Sequence, residues 1–253
     1  MSTRLVHVVI DATEPGRLAR FWAAALGWVI ALEERDEVVV WPPGFSYPDP
    51  AALPLVFVPV PEPKTGKNRL HLDLVSESAA HQADSVGRLL ALGAAPADIG
   101  QGIQGDVPWV VLADPEGNEF CVLDPRPVYR DTGAVAAVVA DCADPAAVAG
   151  FWELATGWAR ASSTASGVSL RSPAGFGPYL ELLPSTDAKV LKNRIHPDVA
   201  PYRGEDYAAA VRALTAAGAV PVDIGQGDDV SWTVLADPEG SEFCVLSPRG
   251  SPP

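Results

Sequence analysis

The sequence predicts an α+β protein in which one domain is written twice, each copy being a pair of βαβββ modules. Three observations predict it: a repeat of long period, a recurring order of strand, helix and strands, and a composition rich enough in apolar residues to fill two cores. In the repeat, Phe21-Trp22 through Gly27-Trp28 matches Phe151-Trp152 through Gly157-Trp158, and Lys67-Asn68-Arg69-Leu70-His71 matches Lys192-Asn193-Arg194-Ile195-His196. Asp98-Ile99-Gly100-Gln101-Gly102 matches Asp223-Ile224-Gly225-Gln226-Gly227, and WVVLADPEGNEFCVL from Trp109 matches WTVLADPEGSEFCVL from Trp232. The period is far longer than that of a solenoid repeat, so whole domains are duplicated. The expected division is 1–126, a Pro-containing linker at 127–133, and 134–253.

The elements follow in order. Leu5 to Ile10 is β-branched and apolar, a buried strand; Pro15 then occupies the favoured first position of a helix that stops at Gly27. Glu37 to Trp41, Leu55 to Val60 and Leu70 to Val75 read as strands. Ser78 to Gly93 is an amphipathic helix with a Ser cap and a Gly stop. Trp109 to Leu112 and Glu119 to Leu123 form a hairpin around Asp114-Pro115-Glu116-Gly117-Asn118. The second half repeats this, with Asp144 as the N-cap before Pro145.

Composition narrows the function. The chain has 253 residues, 48% hydrophobic and 20% charged, and a formal charge of −14. That charge argues against the clustered Lys and Arg that a phosphate backbone or an anionic membrane requires, so neither nucleic acid nor a membrane is an expected partner. No stretch approaches the roughly 20 apolar residues of a membrane span, and the amino end has no basic region followed by an apolar core and a cleavage site, which predicts a cytoplasmic protein. Cys121 and Cys244 fall at equivalent places and Cys142 has no counterpart; three such cysteines read as reduced, buried thiols.

The doubled βαβββ order, the helix phrase ending in Leu-Gly-Trp, the NRxH strand and the DPEGNEF hairpin together resemble the glyoxalase and bleomycin-resistance branch of the vicinal oxygen chelate superfamily, over nearly all of both halves. The resemblance implies that two modules pair into a cupped mixed sheet, with ligands for a divalent metal on the first and last strands of each module. In the first half those positions fall on His7, on Phe57 or Val58, on His71 and on Glu119; in the second, on Ala137, Glu181, His196 and Glu242. Two imidazoles and a carboxylate at His7, His71 and Glu119 suit Fe(II), Zn and other divalent ions such as Mn or Ni. Glu181, His196 and Glu242 make a weaker set, because Ala137 cannot ligate and Pro197 removes a ladder donor. Glu119 and Glu181 are also the candidate catalytic carboxylates.

Other readings stand beside these. A histidine in an apolar strand is commonly a hydrogen-bonded core residue, and Glu119 and Glu242 can equally pair with Arg69 and Arg194 as buried ion pairs. Gly100-Gln101-Gly102-Ile103-Gln104-Gly105 spells a dinucleotide fingerprint but precedes a strand instead of opening a helix, so it is rejected. Asp114, Glu116 and Asn118 belong to a tight turn, with Asp capping it, in preference to a Ca²⁺ loop. Trp22 and Trp152 are core residues, whereas Trp41, Phe57, Trp109 and Trp232 are candidates for lining a small-molecule pocket. Three functions remain open: a metal-dependent lyase or isomerase acting on vicinal oxygens, a metal-free protein sequestering an amphipathic drug or metabolite, and an extradiol-type Fe(II) dioxygenase, whose iron domain the spacing of His7, His71 and Glu119 resembles. The protein is expected to be a monomer or a homodimer.

Overall fold

The computed structural model describes residues 3–100, 107–226 and 230–249. They form four modules of the expected kind. The first comprises β1 (Thr3–Ala12), α1 (Pro15–Leu26), β2 (Val29–Glu33), β3 (Val38–Trp41) and β4 (Leu55–Pro59). The second comprises β5 (Leu70–Leu74), α2 (Ala79–Leu92), β6 (Ala95–Pro96), β7 (Val110–Ala113) and β8 (Glu119–Val122). After a 3-10 turn at Pro127–Tyr129, the third comprises β9 (Val135–Cys142), α3 (Pro145–Thr156), β10 (Ala159–Thr164), β11 (Gly167–Arg171) and β12 (Tyr179–Pro184). The fourth comprises β13 (Ile195–Pro201), α4 (Tyr207–Ala216), β14 (Val220–Pro221), β15 (Thr233–Ala236) and β16 (Glu242–Val245).

The repeated phrases fold as their local chemistry dictates. Pro15 starts α1 and Gly27, at φ +68°, ends it in the left-handed conformation that glycine adopts at little cost. Asp144 caps α3 by accepting from the Ala147 amide. In the DPEG turn, Asp114 Oδ1 accepts from the amides of Glu116 and Asn118, and its Oδ2 accepts from Trp22 Nε1 at 3.1 Å. The Glu116 carboxylate reaches the amides of Thr13 and Glu14 and so supports the approach to α1. Asp237, Trp152 and Glu239 repeat all of this in the second half.

The modules pair crosswise between the halves. One eight-stranded sheet has the order β14-β15-β16-β13-β1-β4-β3-β2 and the other β10-β11-β12-β9-β5-β8-β7-β6. Module one thus shares a sheet with module four, through antiparallel β1 and β13, and module two with module three, through β5 and β9. Within a half, the modules meet through side chains instead: Phe21 and Trp22 of α1 contact Phe120 of β8 edge-on, and Phe151 and Trp152 contact Phe243 likewise. One apolar cluster runs through all four modules on the helix-bearing faces of the sheets, while a smaller cluster lines the opposite, cupped face of each.

Candidate functional site

In the first sheet, three adjacent strands bring polar side chains to one point of the cup. Across the β1–β13 pair, His7 lies opposite Asp198 and Val9 opposite His196, and parallel pairing sets Asp198 beside Cys244 of β16. Paired residues share a face, and so do residues two apart on one strand. His7 Nε2 is 2.8 Å from Asp198 Oδ2, His196 Nε2 is 3.5 Å from Asp198 Oδ1, and Cys244 Sγ is 3.6 Å from His196 Nε2. Ligand atoms of His196, Asp198 and Cys244 all lie within 4.8 Å of one another. Asp198 Oδ1 is buried and, among the described residues, accepts no hydrogen bond. Burial holds the His196 imidazole below its ordinary pKa against the opposing charges of Asp198 and Asp11, favouring the neutral ring that could coordinate a metal. Burial likewise pushes the Cys244 thiol up, and the charge of Asp198 adds to it. Val6, Ala200, Leu246, Tyr47, Trp232 and Val234 form the apolar wall.

The second cup has a related cluster in different company. His71 Nε2 is 3.4 Å from Asp73 Oδ1, which is buried without a hydrogen bond, and Cys121 completes a group within 4.8 Å. Burial lowers the His71 pKa, but the adjacent Asp73 carboxylate outweighs burial and leaves it raised. Here Ala137 occupies the place of His7. Tyr129, carried in by the turn between the halves, is buried against Tyr179 with ring centroids 5.8 Å apart, and its hydroxyl donates to Glu181 Oε1 at 2.9 Å. Ser169 adds a longer contact of 3.4 Å, and burial pushes the Glu181 carboxyl up.

The structure redistributes the expected ligands. His7 lies on β1 of the first sheet, whereas His71 and Glu119 lie on β5 and β8 of the second, so those three do not meet, and the ligand spacing suggestive of an extradiol dioxygenase joins residues of different cups. Glu181 on β12 is likewise in the second sheet, apart from His196 and Glu242 in the first. The cause is the crosswise pairing of modules, which puts His7 with His196 and Glu181 with His71. Glu119 is held by Lys64 Nζ at 2.7 Å and the Asn68 amide, and Glu242 by Lys189 Nζ at 2.8 Å and the Asn193 amide. They are ion-paired, with lysines instead of arginines; Arg69 and Arg194 bond the carbonyls of Asp141 and Asp11.

Register places Val56 opposite Val9 as Glu181 is placed opposite Val139, so Val56 is the counterpart of Glu181 in place of either Phe57 or Val58. Phe57 is fully buried in the helix-side core, on the face of β4 opposite the cup. Trp232 packs in the wall of the first cup and Trp109 beside the second cup's cluster, with the Arg126 guanidinium 5.6 Å from its ring. Trp41 lies at the first cup's rim, 5.7 Å from Phe45. Residues 101–106, which contain most of the glycine fingerprint, lie outside the described residues. Asp73, Asp198, Cys121 and Cys244 are the new members; two-residue alternation from His71, His196, Glu119 and Glu242 already placed each of them on the cupped face.

Comparison with known proteins agrees with this architecture. The family described as glyoxalase-like domain matches residues 7–123 and 137–246. Among solved structures, glyoxalase I from Zea mays is similar over 97% of this chain and 92% of its own, at 14% identity and a TM-score of 0.64. A putative dioxygenase from Bacillus subtilis is similar over 98% of this chain and 86% of its own, at 13% identity and a TM-score of 0.61. No relative was found among curated protein sequences.

Proposed function

Because the chain belongs to the glyoxalase-like domain family, with a match in each half, we propose that it is a divalent-metal-dependent enzyme of the lyase or isomerase kind, acting on a small molecule with vicinal oxygens in the cup of the first sheet. The observation that carries this reading is the convergence of His7, His196 and Cys244 on Asp198, whose Oδ1 is buried without a hydrogen bond. An unpaired carboxylate oxygen in an apolar wall is costly, and a cation relieves that cost. Two imidazoles, a thiolate and a carboxylate fit a borderline-soft divalent ion, zinc before manganese. When bound, such an ion supplies Lewis-acid polarisation of a chelated oxygen. The chain's own residues orient the donors through the β1–β13–β16 ladder and keep water out with Val6, Tyr47 and Trp232. The second cup, with Ala137 for His7 and Tyr129 packed inside, is the poorer cation site and serves as scaffold.

Elemental analysis of the purified protein tests this. Near-stoichiometric metal is expected, lost in His7→Ala, His196→Ala and Asp198→Asn and retained in Glu119→Gln. Full occupancy surviving the first three changes, or a wild-type protein that takes up no divalent metal after reconstitution, sinks the assignment and favours metal-free sequestration of a ligand.

A further inference from the structure

Arg4 is a buried cation that forms no ion pair among the described residues. It stands on β1 opposite Ala200, on the same cupped face as Val6, and only 6% of its surface is exposed. Its Nη2 donates to the Arg249 carbonyl at 2.5 Å. The guanidinium lies 4.4 Å from the centre of the Tyr202 ring and 5.5 Å from that of Tyr47. Among the described residues, no acceptor reaches Nε or Nη1. The nearby Glu205 carboxylate accepts from the Tyr202 amide at 2.9 Å and forms no ion pair with Arg4, though its charge acts on it. Buried arginines are ordinarily paired with carboxylates, because a desolvated charge without partners is expensive; two ring faces offset part of that cost and leave donors free.

Arg4 lines a cavity of about 670 Å³ whose walls include Phe45, Tyr47, Trp158, Phe176 and Tyr202, with Asp49, Arg203 and Glu205 as its other charged members. Its aromatic lining continues outward, with Tyr47 5.9 Å from Phe45 and Phe45 5.7 Å from Trp41. Tyr47 also ties the cavity to the His–Asp–Cys cluster: its hydroxyl donates to the Val6 carbonyl, and it packs in the same wall as Cys244. The chain's charge of −14 repels anions in general, so an aromatic-walled cavity lined by a buried cation that has no ion-pair partner among the described residues is a selective place for one.

We propose that Arg4 anchors the ligand of the first cup by its carboxylate, and that the ligand is an aromatic acid whose ring lies among Phe45, Trp158 and Phe176. The proposed function supplies only the placement of the ligand's other end toward Asp198; the anion subsite stands without it. Charge-assisted hydrogen bonds from guanidinium to carboxylate are the strong kind and suit the arginine fork.

Benzoate and its neutral analogue benzamide are the probes, titrated into the full-length protein with tryptophan fluorescence and calorimetry as readouts. Saturable one-to-one binding of benzoate is expected, with benzamide weaker by roughly tenfold or more, the size of one charge-assisted hydrogen bond. Arg4→Met should weaken benzoate by a similar factor with little effect on benzamide, and Arg4→Lys should restore part of the loss. Chelator treatment and His7→Ala should leave benzoate binding intact, which separates failure of the metal assignment from failure of this one. Absence of saturable benzoate binding, equal affinity for benzamide, or undiminished benzoate binding by a folded Arg4→Met or Arg4→Lys protein overturns the proposal. The wild-type comparison of the two probes stands even where Arg4→Met does not fold.

Discussion

Single residues here do work that their type alone does not announce. Cys121 and Cys244 were legible as buried thiols, and so they are, but each also joins a histidine and an aspartate that alternation places on the same face. The sequence carries that signal in His71-Leu72-Asp73 and Glu119-Phe120-Cys121, whereas the more conspicuous Glu119 and Glu242 are neutralised by lysines. Glu181 offers a separate test. Its carboxyl is raised above the ordinary 4.5 chiefly by burial. A carboxyl whose folded pKa exceeds its unfolded one contributes stability that is fully present below the unfolded value and is lost as pH rises through the folded one. Glu181→Gln keeps an oxygen to accept from Tyr129, so it should stabilise the protein near neutral pH and lose that advantage below about pH 4. Chemical denaturation of both proteins at several pH values checks this; a mutant less stable than wild type at pH 7 would mean that the charge is being used.

At the scale of elements, the repeated phrases were legible because their causes are local. Proline starts and glycine stops α1 and α3, and Asp114 and Asp237 fold their own turns. What the phrases did not reveal is that each DPEG turn also reaches the adjoining module's helix, through Trp22 and Glu116 in one half and Trp152 and Glu239 in the other. Another contact between modules is made by Gly177, before β12. Its φ is +83°, its amide donates to Asp131 at 2.8 Å, and a Cβ there would come within 1.8 Å of the Pro50 carbonyl oxygen. The loop between β3 and β4 thus rests on the loop between β11 and β12, and no side chain fits between them. Gly177→Ala should cost roughly 3 kcal/mol or more, from backbone strain and a forced separation of the two loops. Urea unfolding measures it, and a loss under about 1 kcal/mol would show that the loops part freely.

For the whole molecule, the duplication, the module order and the family were readable, but the partner of each first strand was not. β1 and β9 are both apolar, and either could lie beside β5 or β13 as far as hydrophobic pattern goes; the choice rests on long-range packing of all four modules in one core. That choice decides the site, since it unites His7 with His196. It also predicts how the chain behaves when cut. A fragment of residues 1–126 exposes β1 and β5, whose edges are covered in the intact chain by β13 and β9, and open edges seek other strands. Light scattering should find it dimeric or aggregated, and co-expression with 127–253 should restore a one-to-one complex; a folded monomeric fragment would contradict the pairing. Two copies of one half could complete both sheets only by embracing each other, so the present chain is in effect a dimer with its own partner attached. A symmetric pair must change both of its cups at once. Joined end to end, the copies are released from that obligation, and one cup could keep two histidines while the other exchanged one for alanine and admitted a tyrosine from the very segment that joins them.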